Sequence, residues 1–143
     1  MADIAQLFSM LKDKPDYEYM RTIFDRYRAL MLEGDVDGIC NLFAPNAVWE
    51  EPVGTTPAIG HEAIRARYAA ALSRSGGTIT MVPDGVPRIA GHRALANSIA
   101  YAGTGDNRRV IETSNVIECD EDGLITEMKV YIGPNAIKPA PAD

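Results

Sequence analysis

The chain has 143 residues, 46% of them hydrophobic, which suits one domain large enough to enclose a cavity without disulfide or metal staples. Fourteen basic against twenty acidic residues give a net charge of -6, and the basic ones are scattered in ones and twos (Arg65, Arg67, Arg108 with Arg109), so nucleic acid is not an expected partner. Residues 1–11 lack a signal peptide's basic start and cleavage pattern, no stretch reaches membrane-spanning length, and Cys40 and Cys119 lie far apart with no histidine pattern, so a reduced cytoplasmic protein without metal or disulfide framework is expected.

Residues 1–15 read as an N-terminal extension, a short helix with Ile4, Phe8 and Leu11 on one side. Met20, Ile23, Phe24, Tyr27, Leu30 and Met31 then recur every three or four residues, which predicts a helix over 16–33 with Tyr27 in mid-stripe. Gly34 ends it and Asp35 can cap the next helix, whose buried face is Val36, Ile39, Cys40 and Phe43 before Pro45 closes it. Ala47 to Glu51 reads as a short strand. Pro52, Gly54 and Pro57 punctuate a loop that leads to a helix over 61–73, with Ile64, Tyr68 and Leu72 on one face.

From Gly76 onward the pattern turns extended, with strands expected near 78–82, 93–102, 108–118 and 124–132. Three helices followed by a meander make an α+β fold. In the strand over 108–118, Ile111, Thr113, Asn115 and Ile117 share one side, which places Asn115 on the apolar face. In the last strand, Leu124, Thr126, Met128, Val130 and Ile132 oppose Glu127 and Lys129. The main domain is expected over 16–133, and 134–143, with Pro139 and Pro141, reads as a frayed tail.

One constellation stands out against this background. Glu51 lies in Trp49-Glu50-Glu51-Pro52-Val53-Gly54, with Tyr27 twenty-four positions before it and Tyr68 seventeen after it. This resembles the ketosteroid isomerase (steroid delta-isomerase) family of the nuclear transport factor 2-like, SnoaL-like superfamily, over roughly residues 20–132 and most specifically between Tyr27 and Tyr68. The resemblance implies a cone-shaped fold, three helices packed on a strongly curved, mostly antiparallel sheet. It implies that Glu51 shuttles a proton and that Tyr27, bonded to Tyr68, points at the substrate carbonyl. Counting back from Gly123 puts Asn115 where the family has an oxyanion-binding aspartic acid, and Phe43 where a third tyrosine sometimes joins the network. It further implies a homodimer formed through the outer face of the sheet, and a cofactor-independent reaction.

The residues support part of this independently. A glutamate at a strand end is ordinarily solvated. Trp49 and Glu51 share one side of their strand, however, so the carboxylate sits beside a large aromatic that disfavours its charged form, while Glu50 points to solvent. Tyr27 and Tyr68 read equally as core packing whose hydroxyls need a partner. Asn115 reads as a satisfied buried amide or as a donor that needs no extra proton. His61 and His92 read as a solvated cap and a turn residue. No Gly-rich nucleotide loop, His-Glu-x-x-His or nucleophile elbow is present.

The sequence thus leads to the expectation of an isomerase of a 3-oxo steroid or a similar small apolar β,γ-unsaturated ketone, acting through Glu51, Tyr27 and Asn115, with Phe43, Trp49, Met128, Val130 and Ile132 lining the pocket. A SnoaL-like polyketide cyclase or a non-catalytic binder on the same fold is the alternative.

Overall fold

The computed structural model describes residues 3–141. Helix α1 (Ile4–Phe8) is followed by α2 (Tyr17–Glu33), α3 (Val36–Cys40) and, after strands β1 (Phe43–Glu50) and β2 (Ala58–Ile59), by α4 (His61–Arg74). Strands β3 (Thr80–Pro83), β4 (Arg88–Ala90), β5 (Arg93–Ala102), β6 (Arg109–Cys119), β7 (Ile125–Tyr131) and β8 (Ile137–Pro139) complete one sheet. The chain is therefore an α+β protein with a large, mostly antiparallel sheet. Its order is β2-β1-β7-β6-β5-β3, with β4 also on β5 and β8 also on β6, and β1 runs parallel to β7.

Helix α2 forms because its two ends are capped and one stripe is apolar. The Asp16 carboxylate accepts from the Tyr19 amide at 2.8 Å, and Met20, Ile23, Phe24, Tyr27 and Met31 are all buried. Burying each such side chain contributes about 1.5–3 kcal/mol. The helix stops at Gly34, whose φ of 70° suits glycine, and a Cβ there would clash with the Gly77 carbonyl oxygen. That close approach brings the chain entering β3 against the helix end, where the Ile79 amide donates to the Met31 carbonyl at 3.1 Å. The inner face of the sheet is lined by Ala94, Ala96 and Ala100 of β5, Thr113, Asn115 and Ile117 of β6, and Met128 and Val130 of β7, all buried. Small residues on β5 leave room for α2 to lie across it.

Several expectations are corrected. Phe43 does not belong to the second helix; that helix ends at Cys40, and Pro45 lies inside β1 rather than closing a helix. This is possible because β1 is irregular between Phe43 and Val48, where its pairing with β7 shifts register, and a proline tolerates such a position. The strict alternation expected for the last strand also fails at its start. Ile125 is buried and pairs with Cys119, whereas Glu118 pairs with Glu127, so Thr126 is an extra residue in a bulge and its hydroxyl donates to the Glu118 carbonyl at 3.1 Å. The expected frayed tail does not describe residues 137–139, which form β8 against Arg109–Ile111. Strands β2 and β4, too short to read from periodicity, were not expected.

The two histidines are only partly exposed, and His92 lies in the turn before β5. His61 Nε2 lies 2.8 Å from the Phe43 carbonyl oxygen, joining the start of α4 to β1, and His92 Nε2 lies 3.1 Å from a Glu118 carboxylate oxygen. Cys40 and Cys119 are buried free thiols. Among the described residues no helix is long and apolar enough to cross a membrane.

Candidate active site

A cavity of about 550 Å³ opens between α2, α4 and the sheet. Its inner end is built by Tyr27 of α2, Trp49 at the end of β1, Tyr68 of α4 and Glu51 in the loop after β1, and its walls by Met31, Ala71, Ile79, Met81, Ile111 and Ile132. Arg74, Thr104 and Asn107, which are exposed, mark the mouth, together with Ser75, Gly103 and Arg109. A concave apolar space with a few convergent polar groups is the form that small-molecule sites take.

Each inner residue is held by its neighbours. Trp49 and Tyr68 are stacked, with ring centroids 4.0 Å apart, and Tyr27 meets Tyr68 edge-on at 6.1 Å. The hydroxyls of Tyr27 and Tyr68 are hydrogen-bonded at 2.7 Å, so one proton lies between them and the other is available for a further acceptor. Glu51 is positioned from both sides. Trp49 pairs with Met128 in the β1–β7 ladder, and beyond Glu51 the Val53 amide donates to the Val130 carbonyl at 2.9 Å. Glu50 does not simply point to solvent; its carboxylate accepts from the Gly54 amide at 2.6 Å and so shapes the same loop.

The electrostatics follow from this burial. Glu51 is partly buried at the cavity's inner end, and loss of water raises its pKa from the usual 4.5 to about 7. Burial also raises the pKa of the Tyr27 phenol well above its ordinary value, and the Glu51 charge raises it further. Tyr68 is raised for the same primary reason, with Tyr27 and Glu51 adding to it. Both phenols therefore remain protonated donors at neutral pH, beside a carboxyl group that exchanges its proton there. This arrangement can take a proton from carbon and hold an adjacent oxygen that becomes negative.

The structure brings five of the residues expected from sequence to the cavity, Tyr27, Trp49, Glu51, Tyr68 and Ile132. It does not bring Phe43, Met128 or Val130 to the surface of the cavity; they are buried beneath it. Phe43 lies 6.2 Å from the Tyr68 ring, and the Tyr68 hydroxyl donates to Met128 Sδ at 3.9 Å. Asn115 is likewise buried and off the lining. Its Nδ2 donates to the same Met128 Sδ at 3.6 Å, and its Oδ1 has no partner among the described residues. The Trp49 Nε1 is also unpartnered. The mouth residues and Met31, Ala71 and Met81 were missed from the sequence, although Ile111 was readable as inward-facing. Among the described residues, no group of three His, Cys, Asp or Glu side chains is placed to hold a metal ion.

A strongly curved sheet closed by helices over one such cavity is the architecture of the nuclear transport factor 2-like class. The chain belongs to the family of SnoaL-like domains, whose model matches residues 24–128. It is 32% identical over 117 residues to the Steroid Delta-isomerase of Nocardioides simplex, an alignment that covers 82% of this chain and 92% of that protein. It is 33% identical over 113 residues to the Epoxide hydrolase LasB of Streptomyces lasalocidi; that match covers 70% of this chain but 36% of LasB, so the chain spans about a third of that relative's length. Among solved structures it is similar to SalBIII, described as an epoxide hydrolase/cyclase-like enzyme with a role in pyran ring formation in polyether salinomycin. The TM-score is 0.77 at 27% identity, over 87% of this chain and 98% of SalBIII. These relatives are enzymes.

Proposed function

We propose that this protein is a cofactor-independent isomerase that moves the double bond of a 3-oxo steroid, or of a similar apolar β,γ-unsaturated ketone, into conjugation. The observation that carries this reading is that Glu51 is the only carboxylate among the described residues lining the cavity, is raised to a pKa of about 7, and shares the inner end with the hydrogen-bonded Tyr27 and Tyr68. Glu51 takes the proton from the carbon between carbonyl and alkene and returns it at the far end of the dienolate, so one group serves as base and then as acid. Tyr27 donates to the oxygen as it becomes an enolate, and the Tyr68 hydroxyl, which in the free protein donates to Met128 Sδ, turns to donate to Tyr27 instead. Asn115 is the second donor in this reading, its amide released when the flexible Met128 side chain moves off it. The 32% identity to a steroid isomerase over most of both chains supports the substrate class.

The relatives named as epoxide hydrolase and cyclase favour a second reading, the opening of an epoxide by a hydroxyl group in the same cavity. That chemistry uses one group to protonate the epoxide oxygen while another deprotonates the nucleophile. A single carboxylate fits proton transfer within one substrate better. A homodimer through the outer sheet face, which exposes Leu95 and Tyr131, belongs to the same proposal. The experiment that tests the isomerase reading is incubation with a β,γ-unsaturated 3-ketosteroid, followed through the absorbance of the conjugated product. Growth of that absorbance at a rate above the buffer-catalysed one is expected, and its absence overturns the reading.

A further inference from the structure

The mouth of the cavity carries charge opposite to that of its inner end. Arg74, in the last turn of α4, and Arg109, at the start of β6, both line it, and neither forms an ion pair with a carboxylate among the described residues. Among the described residues Arg26, Arg67 and Arg88 likewise form no ion pair with a carboxylate, so it is not the lack of a partner but the convergence of two arginines on one apolar space, in a chain of net charge -6, that calls for an explanation. Each has a local role. Arg74 complements the negative end of its helix, and Arg109 Nη1 donates to the carbonyls of Asp106 and Arg108 at 3.0 Å each. Those roles account for where each arginine is, but not for their convergence on one opening.

The mouth is also firmly built. The Ser75 hydroxyl accepts from the Gly103 amide at 2.9 Å, which joins the end of α4 to the turn between β5 and β6, and Gly103 has a φ of 84° with the Asn107 carbonyl packed where a Cβ would stand. Its bonds to carbonyl oxygens fix Arg109 while leaving its Nε and Nη2 protons for another acceptor.

We infer that the natural substrate carries an anionic oxygen group, a carboxylate or a sulfate ester, at the end opposite its reacting carbonyl, and that Arg74 and Arg109 bind it at the cavity mouth. This rests on the proposed reading of the cavity as a substrate site. It adds that the substrate is an amphiphile: the carbonyl lies at Tyr27 and Glu51, the apolar body lies between, and the anion stays at the rim, where full desolvation is not required. Placing the anion there also keeps it far from Glu51, so that it does not oppose ionisation of the base.

The test is calorimetric titration of the whole protein with three ligands of one skeleton: a conjugated 3-ketosteroid with a carboxylate on its D ring, the methyl ester of that acid, and the corresponding D-ring sulfate ester. At least one anion is expected to bind about tenfold more tightly than the methyl ester. The better of the two identifies the group. The paired substitution Arg74→Gln with Arg109→Gln should remove that preference and leave ester affinity within about twofold, and raising salt on the unaltered protein should weaken the anion and not the ester. Equal affinity of the ester and both anions for the unaltered protein overturns the inference, as does a preference that survives loss of both arginines. Because binding is read without turnover, an anion preference in a protein that conjugates no ketone keeps this inference and rejects the isomerase reading.

Discussion

Trp49 lies flat on Tyr68, with ring planes 1° from parallel. The stack joins the last inward residue of β1 to the middle of α4, and it sets the Tyr68 hydroxyl at hydrogen-bond distance from Tyr27. Replacing Tyr68 by Phe keeps the stack and removes one buried hydroxyl, so stability should fall by about 1–2 kcal/mol. Replacing it by Ala removes the stack as well and should cost about 3–5 kcal/mol. Chemical denaturation of the two variants measures both, and equal losses would mean that the ring is not what holds the site.

If Glu51 is the base, Glu51→Gln should lower isomerisation by about 10²- to 10⁴-fold while the protein remains folded. Glu50→Gln keeps an acceptor for the Gly54 amide and should change the rate little. Steady-state kinetics on the two variants decides between adjacent glutamates, and equal effects would reject Glu51.

Glu51 also gives stability an identifiable pH dependence. Its carboxyl is raised in the folded protein, so the native state binds its proton more tightly than the unfolded chain does. The stability that this contributes is fully present below 4.5, declines as pH rises, and is lost above about 7. Glu51→Gln cannot ionise. The variant should therefore gain on the parent protein as pH rises through that window, by up to about 3 kcal/mol at pH 8. Thermal unfolding of both proteins at pH 4 and pH 8 measures it, and a constant difference would mean that Glu51 is solvated. Over the same interval the isomerisation rate should rise with pH as the base ionises.

A planar phenolic steroid imitates the dienolate, and its oxygen should sit at Tyr27. Tyr27→Phe should weaken binding of that ligand by about tenfold or more, and that of the same skeleton without the hydroxyl by less than threefold. Calorimetry on the pair separates hydrogen bonding from packing.

Among the described residues the Asn115 side chain has only Met128 Sδ as a partner, and it lies deep in the core, so Asn115→Asp should place a carboxylic acid where ionisation is costly. It should remain protonated at neutral pH, leave activity at or above that of the parent, and destabilise the protein as pH rises from the ordinary aspartate range of about 4 up to its elevated pKa, with no further loss above it. A pH–rate profile and unfolding at pH 6 and 9 check this. Activity suppressed at neutral pH and recovered in acid would show that water reaches the position.

The fold was readable from Met20 to Ile132 where burial repeats regularly. The stripe of α2 and the alternation of β5 and β6 are dictated by which side chains leave water, and that periodicity is present in the sequence. It failed where geometry rather than hydrophobicity sets the path. The bulge at Thr126 changes which residues face inward at the start of β7, and Pro45 lies in a strand whose register shifts around it. The site divides similarly. Glu51, Tyr27 and Tyr68 were found through fixed spacing and a shared side with Trp49. The depth of Asn115 and Met128 was not, because strand alternation says which face a residue occupies and not how far beneath the cavity surface it lies. Arg74 and Arg109 converge through a turn tied to α4 by Ser75, a contact with no trace in local sequence.

The pairing of β8 with residues 109–111 has a practical corollary for engineering this protein. Those three residues include two that face the cavity, Arg109 and Ile111, and β8 occupies the edge of β6 that β7 leaves open there. A fusion partner or affinity tag joined directly after Gly133 would strip the wall of its outer support and expose unpaired backbone to other chains. Attachments should start beyond Pro139, or be moved to the other terminus, where α1 contributes nothing to the cavity lining.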